Sequence, residues 1–356
     1  MVTGRDICYV VVPLAFRPLR GPEPPRHRVG PAGGWPCAPS ATEVTPMAIV
    51  PFHIVDAFAD RPFTGNPAAI IPNAAGLSDL EMFQITDELS MEAGFILPPV
   101  ASQADVRLRF FTHRRETPLS GHVAIAAFAS MADRGFYHAT AGGTHLTVET
   151  GAGLLPVTLT AAPSGRTAVT VGLPSPRFGE PITATEVATA LDIPVAAVGI
   201  DGHGPARVSC GFDQIVVPIG DRDVMRGSFR DAVAIGALTD QRGVGGITLV
   251  CTETVAPEAD MHCRFFHPRV GADEDVASGT SLGAAAAWLV GSGLVPTCDV
   301  TKIISEQGHS LGRPTRAELA VRCSGDMVTG VELTACGVVV MRGSFHFNRQ
   351  AVEARG

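Results

Sequence analysis

Two Ser-Gly pairs, Ser120–Gly121 and Ser278–Gly279, each stand at the head of an alanine-rich apolar run, Val123 to Ser130 and Leu282 to Val290. Alanine is the strongest helix former, and a serine ahead of such a run occupies the N-cap position, so each pair opens a helix. A helix opened this way offers unpartnered backbone N–H groups and the positive end of its dipole, a seat for a small carboxylate. Both pairs belong to one repeated phrase, "FFTHRRETPLSGH" from Phe110 and "FFHPRVGADEDVASGT" from Phe265. In each copy a Phe-Phe pair that suits a strand end leads through a polar loop to Ser-Gly. If the two copies are related by internal symmetry, both helix N-termini face one cleft and each half supplies one wall.

Those helices need a body to position them. Alternating apolar segments bounded by turn residues predict strands at 49–57, 67–72, 94–98, 105–112, 144–149 and 154–160. "SDLEMFQITDEL" reads as a helix with Ser78 and Glu81 as a capping box. The second part repeats the style, with a helix in "TATEVATALDI" and strands in "ARVSCGFDQIVVPI", "GGITLVCTET", "DMHCRFF", "ELAVRCS", "VTGVELTAC" and "VVVMRGSF". The order lacks a regular β-α-β rhythm, so α+β with antiparallel sheet is expected.

Composition limits the partners. With 46% apolar and 17% charged residues in 356, the chain reads as an ordinary soluble globular protein, large enough for two cores. A net charge of −8 argues against nucleic acid as the partner. Apolar runs break well before the roughly 18 residues of a membrane span. The eight cysteines show no C-x-x-C or zinc-type spacing and read as free thiols of a reducing, cytoplasmic compartment. Lys302 is the only lysine and lies in "DVTKIISEQG", which is neither a P-loop nor a Schiff-base setting, and no G-x-G-x-x-G follows a strand. No cofactor and no metal are expected. Residues 1–46 hold nine of the 28 prolines and read as a disordered extension without catalytic function, or as sequence upstream of a true start at Met47.

Four segments in order, "VDAFADRPFTGNPAAII", "RFFTHRRETPLSGHVAIAAFA", "RFFHPRVGADEDVASGTSLGAAAAWL" and "SEQGHSLGRPTRAEL", resemble the PhzF family, the phenazine-biosynthesis isomerase type with the diaminopimelate epimerase fold. The resemblance covers Phe52 to about Arg342. It implies two pseudo-symmetric halves, each a curved, mostly antiparallel sheet around a central helix. The halves are expected at 47–164, completed by a C-terminal strand near 337–350, and at 165–336. A homodimer and cofactor-free proton transfer are also implied.

The family's acid/base glutamate falls on Glu92 in "MEAGF", its site histidine on His122 in "SGH", and its site aspartate on Asp275 in "DEDVASG". Flanking Met91, Ala93 and Phe95 are expected to desolvate Glu92 partly, raising its pKa toward the operating pH and suiting it to take and return a proton. Ser120, Gly121, Ser278, Gly279 and Thr280 match the positions that bind the substrate carboxylate. From context alone, each of these residues also fits plain helix initiation or capping. Glu274 is expected to point away or pair with an arginine, Asn66–Pro67 to form a structural turn, Gln307 and Gly308, and with them His309, to lie near the cleft, and Gly312 to Pro314 to form a turn or dimer contact. Four departures stand out: Met91 and Ala93 where Ser and Thr are usual, Pro118 in place of an acidic residue, and Val276 in place of proline. Met91 is expected to make the surroundings of Glu92 larger and more apolar.

The resulting expectation is an isomerase that shifts a proton on a small unsaturated carboxylate or amino acid, in secondary metabolism of the antibiotic-producing kind. The alternatives are an amino-acid epimerase or racemase, disfavoured by serines where that branch of the fold uses two cysteines, and a catalytically silent protein that binds a small acid.

Overall fold

The computed structural model describes residues 47–349 except 141, 228–230 and 270–271; the proline-rich segment 1–46 lies outside them. In chain order the first elements are β1 (Ala48–Ala57), β2 (Asn66–Ile71), α1 (Asp79–Leu89), β3 (Ala93–Leu97), β4 (Val106–Phe111), β5 (Glu116–Thr117), α2 (Gly121–Asp133), β6 (Thr144–Thr150), β7 (Gly153–Ala161) and β8 (Thr167–Gly172). They are followed by β9 (Arg177–Pro181), α3 (Ala184–Leu191), β10 (Ala206–Ser209), β11 (Asp213–Pro218), α4 (Arg222–Gly227), α5 (Ala232–Arg242), β12 (Gly246–Cys251), β13 (Met261–Phe266), α6 (Gly279–Gly291), β14 (Val300–Gln307), β15 (Thr315–Ser324) and β16 (Met327–Phe347). None of these helices is long and apolar enough to cross a membrane.

Strands β1, β2, β3, β4, β6, β7, β8 and β16 follow one another in hydrogen-bonded order, and β16 pairs back to β1, so this sheet closes around α2. From β16 the order continues through β15, β14, β13, β12, β11 and β10 to β9, and this second curved sheet wraps α6. The two sheets repeat one pattern. In the first, β2–β3 and β4–β6 are parallel; in the second, β11–β12 and β13–β14 are parallel. The remaining pairings between neighbouring strands are antiparallel, so each sheet is mostly antiparallel, as expected, with two parallel pairs. Parallel neighbours need a crossover, and α2 and α6 are the crossovers between β4 and β6 and between β13 and β14.

Small side chains make this arrangement possible. Every residue from Gly121 to Met131 of α2 is buried, as an all-round apolar helix requires, and its alanines keep the helix thin enough to fit inside the sheet. Gly337 lies where β16 passes close to α2; a Cβ there would stand 2.7 Å from the Ala129 Cβ. This glycine makes "VTGVELTAC" and "VVVMRGSF" look like two strands, yet both lie in β16. Separate apolar clusters sit outside the sheets, one under α1 and one under α3 and α5. The α1 capping box forms as read, with Ser78 accepting from the Glu81 N–H. Helix α5 is an addition: Asp231 caps it, and Gly243 ends it at φ 61°.

Candidate active site

The first wall is built by β3 and α2. Side chains alternate across a strand, and Ala93 and Phe95 enter the α1 cluster with Met91 packed on it. Gly94, facing the other way, lies against Val123 of α2, where a Cβ would stand 2.6 Å from the valine methyl. Glu92 shares the Gly94 side and reaches the head of α2, where Ser120 Oγ donates to its Oε2 at 2.8 Å. His122 Nε2 lies 3.8 Å from the same oxygen, and His122 Nδ1 lies 3.4 Å from Ser120 Oγ. Two expectations are corrected here. Ala93 and Phe95 enter the α1 cluster and Met91 packs on it, so they are not what partly covers Glu92, whose side chain is 34% exposed. Met91 packs on the α1 cluster, away from the carboxylate.

The second wall precedes α6. Asp275 bridges to β13, its N–H donating to the Phe265 carbonyl at 2.9 Å. Asn66 Nδ2 donates to Asp275 Oδ1 at 2.9 Å and to the Ala277 carbonyl at 2.7 Å. His267 Nε2 stands 3.7 Å from Asp275 Oδ2, its ring stacked on Phe265. Gln307 Nε2 donates to the Asp275 carbonyl at 3.0 Å, and Gly308 packs under Val276. Asp275 is thus fixed from three strands, β2, β13 and β14. Asn66 is no mere turn residue: it begins β2, is buried, and fastens the first sheet to the approach of α6. The Gly-Asn-Pro pattern concealed this, because a turn signal carries no information on what the amide reaches. Pro67 pairs with Asp56 in the β1–β2 ladder.

The loop carrying Asn66 is itself anchored. Arg313 donates to Asp56 Oδ1, to the Gly65 carbonyl and to the Thr64 carbonyl, at 2.7, 2.7 and 3.0 Å. Burial pushes the Asp56 carboxyl up, while the Phe63 N–H and the Arg313 guanidinium pull it back. The segment expected as a turn or dimer contact, Gly312 to Pro314, therefore ties this chain to itself.

The two helix tips meet. A Cβ on Gly121 would stand 3.4 Å from the Gly279 Cα, and one on Gly279 would stand 3.6 Å from the Gly121 Cα. Ser120 and Ser278 are the N-caps as expected, both with extended backbone, yet neither side chain caps its helix. Ser120 gives its hydroxyl to Glu92, and Ser278 Oγ pairs with Thr280 Oγ1 at 3.1 Å. First-turn N–H groups of both helices are left without a side-chain cap at the point where the tips converge. The Thr280 carbonyl accepts from Gln214 Nε2 at 3.1 Å. Glu274 turns away into a bidentate pair with Arg264 at 2.9 and 2.8 Å.

A family model described as phenazine biosynthesis-like protein, PhzC-PhzF, matches residues 55–343. An uncharacterized isomerase from Clostridium acetobutylicum is 28% identical over 302 residues, 83% of this chain and 97% of its own length. The trans-2,3-dihydro-3-hydroxyanthranilate isomerase of Pseudomonas aeruginosa is 26% identical over 298 residues, 82% of this chain and 98% of its own. Among solved structures, the Bacillus anthracis phenazine biosynthesis protein of the PhzF family matches with a TM-score of 0.77 at 25% identity, covering 84% of this chain and 99% of that one. A hydroxyproline epimerase from Agrobacterium vitis shares the fold, with a TM-score of 0.56 at 13% identity over 84% of this chain and 91% of its own. With its repeated strand pattern, its paired central helices and a family match running from β1 into β16, this chain belongs to the PhzC-PhzF family of phenazine biosynthesis-like proteins.

Proposed function

We propose that this chain is an isomerase in which Glu92 takes a proton from an allylic carbon of a small unsaturated carboxylate or amino acid and returns it at another carbon. The observation that carries this reading is the Glu92 carboxylate, hydrogen-bonded to Ser120 where α2 and α6 meet and open to solvent on one side. A base must reach its proton and release it again, and a one-third-exposed carboxylate at a helix tip can do both. The substrate carboxylate sits against the uncapped first turns of the two helices, where N–H groups and dipoles favour an anion. His122 orients the substrate or relays the proton from the α2 side. Asp275 does the positioning from the α6 side. The isomerases among the relatives support the reaction class, and a role in secondary metabolism rests on the family alone.

An epimerase working with two thiols has no support here, because the helix tips carry Ser120 and Ser278 and an alcohol is too weak an acid to replace a thiol unaided. Wild type and Glu92→Gln are compared by NMR in D2O with a panel of small unsaturated carboxylates and amino acids. Deuterium entering a non-stereogenic carbon in wild type alone is the expected result. Exchange confined to Cα would replace the isomerase reading by an epimerase. Turnover that persists in Glu92→Gln would remove Glu92 from the mechanism.

A further inference from the structure

A second group of chemistry-bearing side chains lies on the face of the second sheet turned away from α6. Along β13, Met261 and Cys263 enter the core around α6, so alternation sends His262 to the opposite face. His262 is the register partner of Glu306 on β14, and its Nδ1 lies 2.7 Å from Glu306 Oε1. Just beyond β14, His309 brings its ring to 5.2 Å from the His262 ring and its Nε2 to 4.0 Å from Glu306 Oε2. One donor atom from each of the three lies within 4.8 Å of the others. His262 and Glu306 are only 7% and 3% exposed. His309 Nδ1 is buried with no hydrogen-bond partner among the described residues, a costly state for an imidazole nitrogen that nothing occupies.

We propose that His262, Glu306 and His309 form a site for one divalent transition cation of the zinc class. Two imidazoles and a carboxylate are the donor set such ions select, whereas calcium and magnesium require oxygen ligands. The carboxylate is already oriented: the Val255 and Ala256 N–H groups donate to its two oxygens at 2.6 and 3.0 Å, the supporting shell that metal sites use. Burial opposes its ionisation, but the bonds from His262, Val255 and Ala256 outweigh burial and hold it at about 2. A tetrahedral ion holds its ligand atoms roughly 3.4 Å apart, so atoms now up to 4.8 Å apart must close by as much as about 1.4 Å, and the 2.7 Å contact of His262 Nδ1 with Glu306 must open if that nitrogen is the ligand. His309 can supply the closing movement, since its side chain is 27% exposed and its short turn runs between Gly308 and Gly312, both left-handed. The ion would clamp β13, β14 and the Val255 loop beside Gln307, which holds the Asp275 backbone. Its role is structural support of the α6 wall.

The test uses full-length, tag-free protein stripped with a chelator, titrated with Zn2+ by calorimetry and with Co2+ by absorption. One ion per chain is expected, weakened at least about tenfold in His309→Ala, the least that loss even of an outer partner costs. His309→Ala should melt like the metal-free wild type, which separates lost binding from lost folding. His309→Cys should retain Co2+ and add a sulfur-to-cobalt charge-transfer band. No saturable binding, or binding unchanged in both His309→Ala and His262→Ala, overturns the proposal.

Discussion

The heads of α2 and α6 occupy equivalent places in two similar sheets, yet they hold their carboxylates differently. Glu92 has one hydroxyl donor, Ser120, and a 34% exposed side chain. Asp275 is 19% exposed and is held through its side chain by Asn66, with His267 nearby, and through its backbone by Phe265 and Gln307. A group that carries a proton must change charge without losing its support, so a single-donor contact suits Glu92. A group held from several elements keeps its position and suits orientation. The asymmetry divides the two roles within an otherwise symmetric frame.

The largest expected effect is on chemistry at the first wall. Glu92→Gln should lower kcat by roughly 10²–10⁴ with little change in melting temperature, because few contacts depend on the acid. Asp275→Ala should do the reverse in emphasis: it removes one of the two acceptors of the buried Asn66 amide, a cost of about 1–3 kcal/mol, and thermal melting should fall by several degrees while KM rises. If Asp275→Ala left stability untouched and Glu92→Gln lowered it, the division of roles would be inverted.

The serines refine the contrast. Ser120→Ala removes a donor from a charged acceptor and should lower kcat/KM about tenfold. Ser278→Ala removes only a contact with the Thr280 hydroxyl and should cost about threefold or less. Steady-state kinetics on both variants would show whether the two tips differ in this order. The tip glycines differ in stability rather than in rate. Gly279→Ala drives a Cβ to 2.7 Å from the buried Leu333 Cδ2 and should destabilise by about 1 kcal/mol. Gly121→Ala meets only a 3.4 Å contact and should be close to neutral by denaturant unfolding.

Much of this molecule was legible along the chain. Alanine runs behind Ser-Gly, the capping box at Ser78, and the period-2 strands are local patterns, so α2, α6, α1 and most strands could be read from neighbours a few residues apart. Helix α5 carried its own signals in Asp231 and Gly243 but has a weak apolar face. The family motifs marked Glu92, His122 and Asp275, and the structure sets Glu92 and His122 together at one tip and Asp275 at the approach to the other.

What sequence neighbours could not tell was the side of the sheet on which a residue acts. Met91 and Ala93 flank Glu92 in the chain and are separated from it by the plane of β3. Asn66 and Asp275 lie 209 residues apart and share a hydrogen bond, as His262 and Glu306 do across 44. Residue order establishes which helices and strands form, because backbone propensity and periodicity are short-ranged. Partner choice depends on strand pairing between distant segments and on the face each strand turns to its helix, and both arise only when the sheet closes.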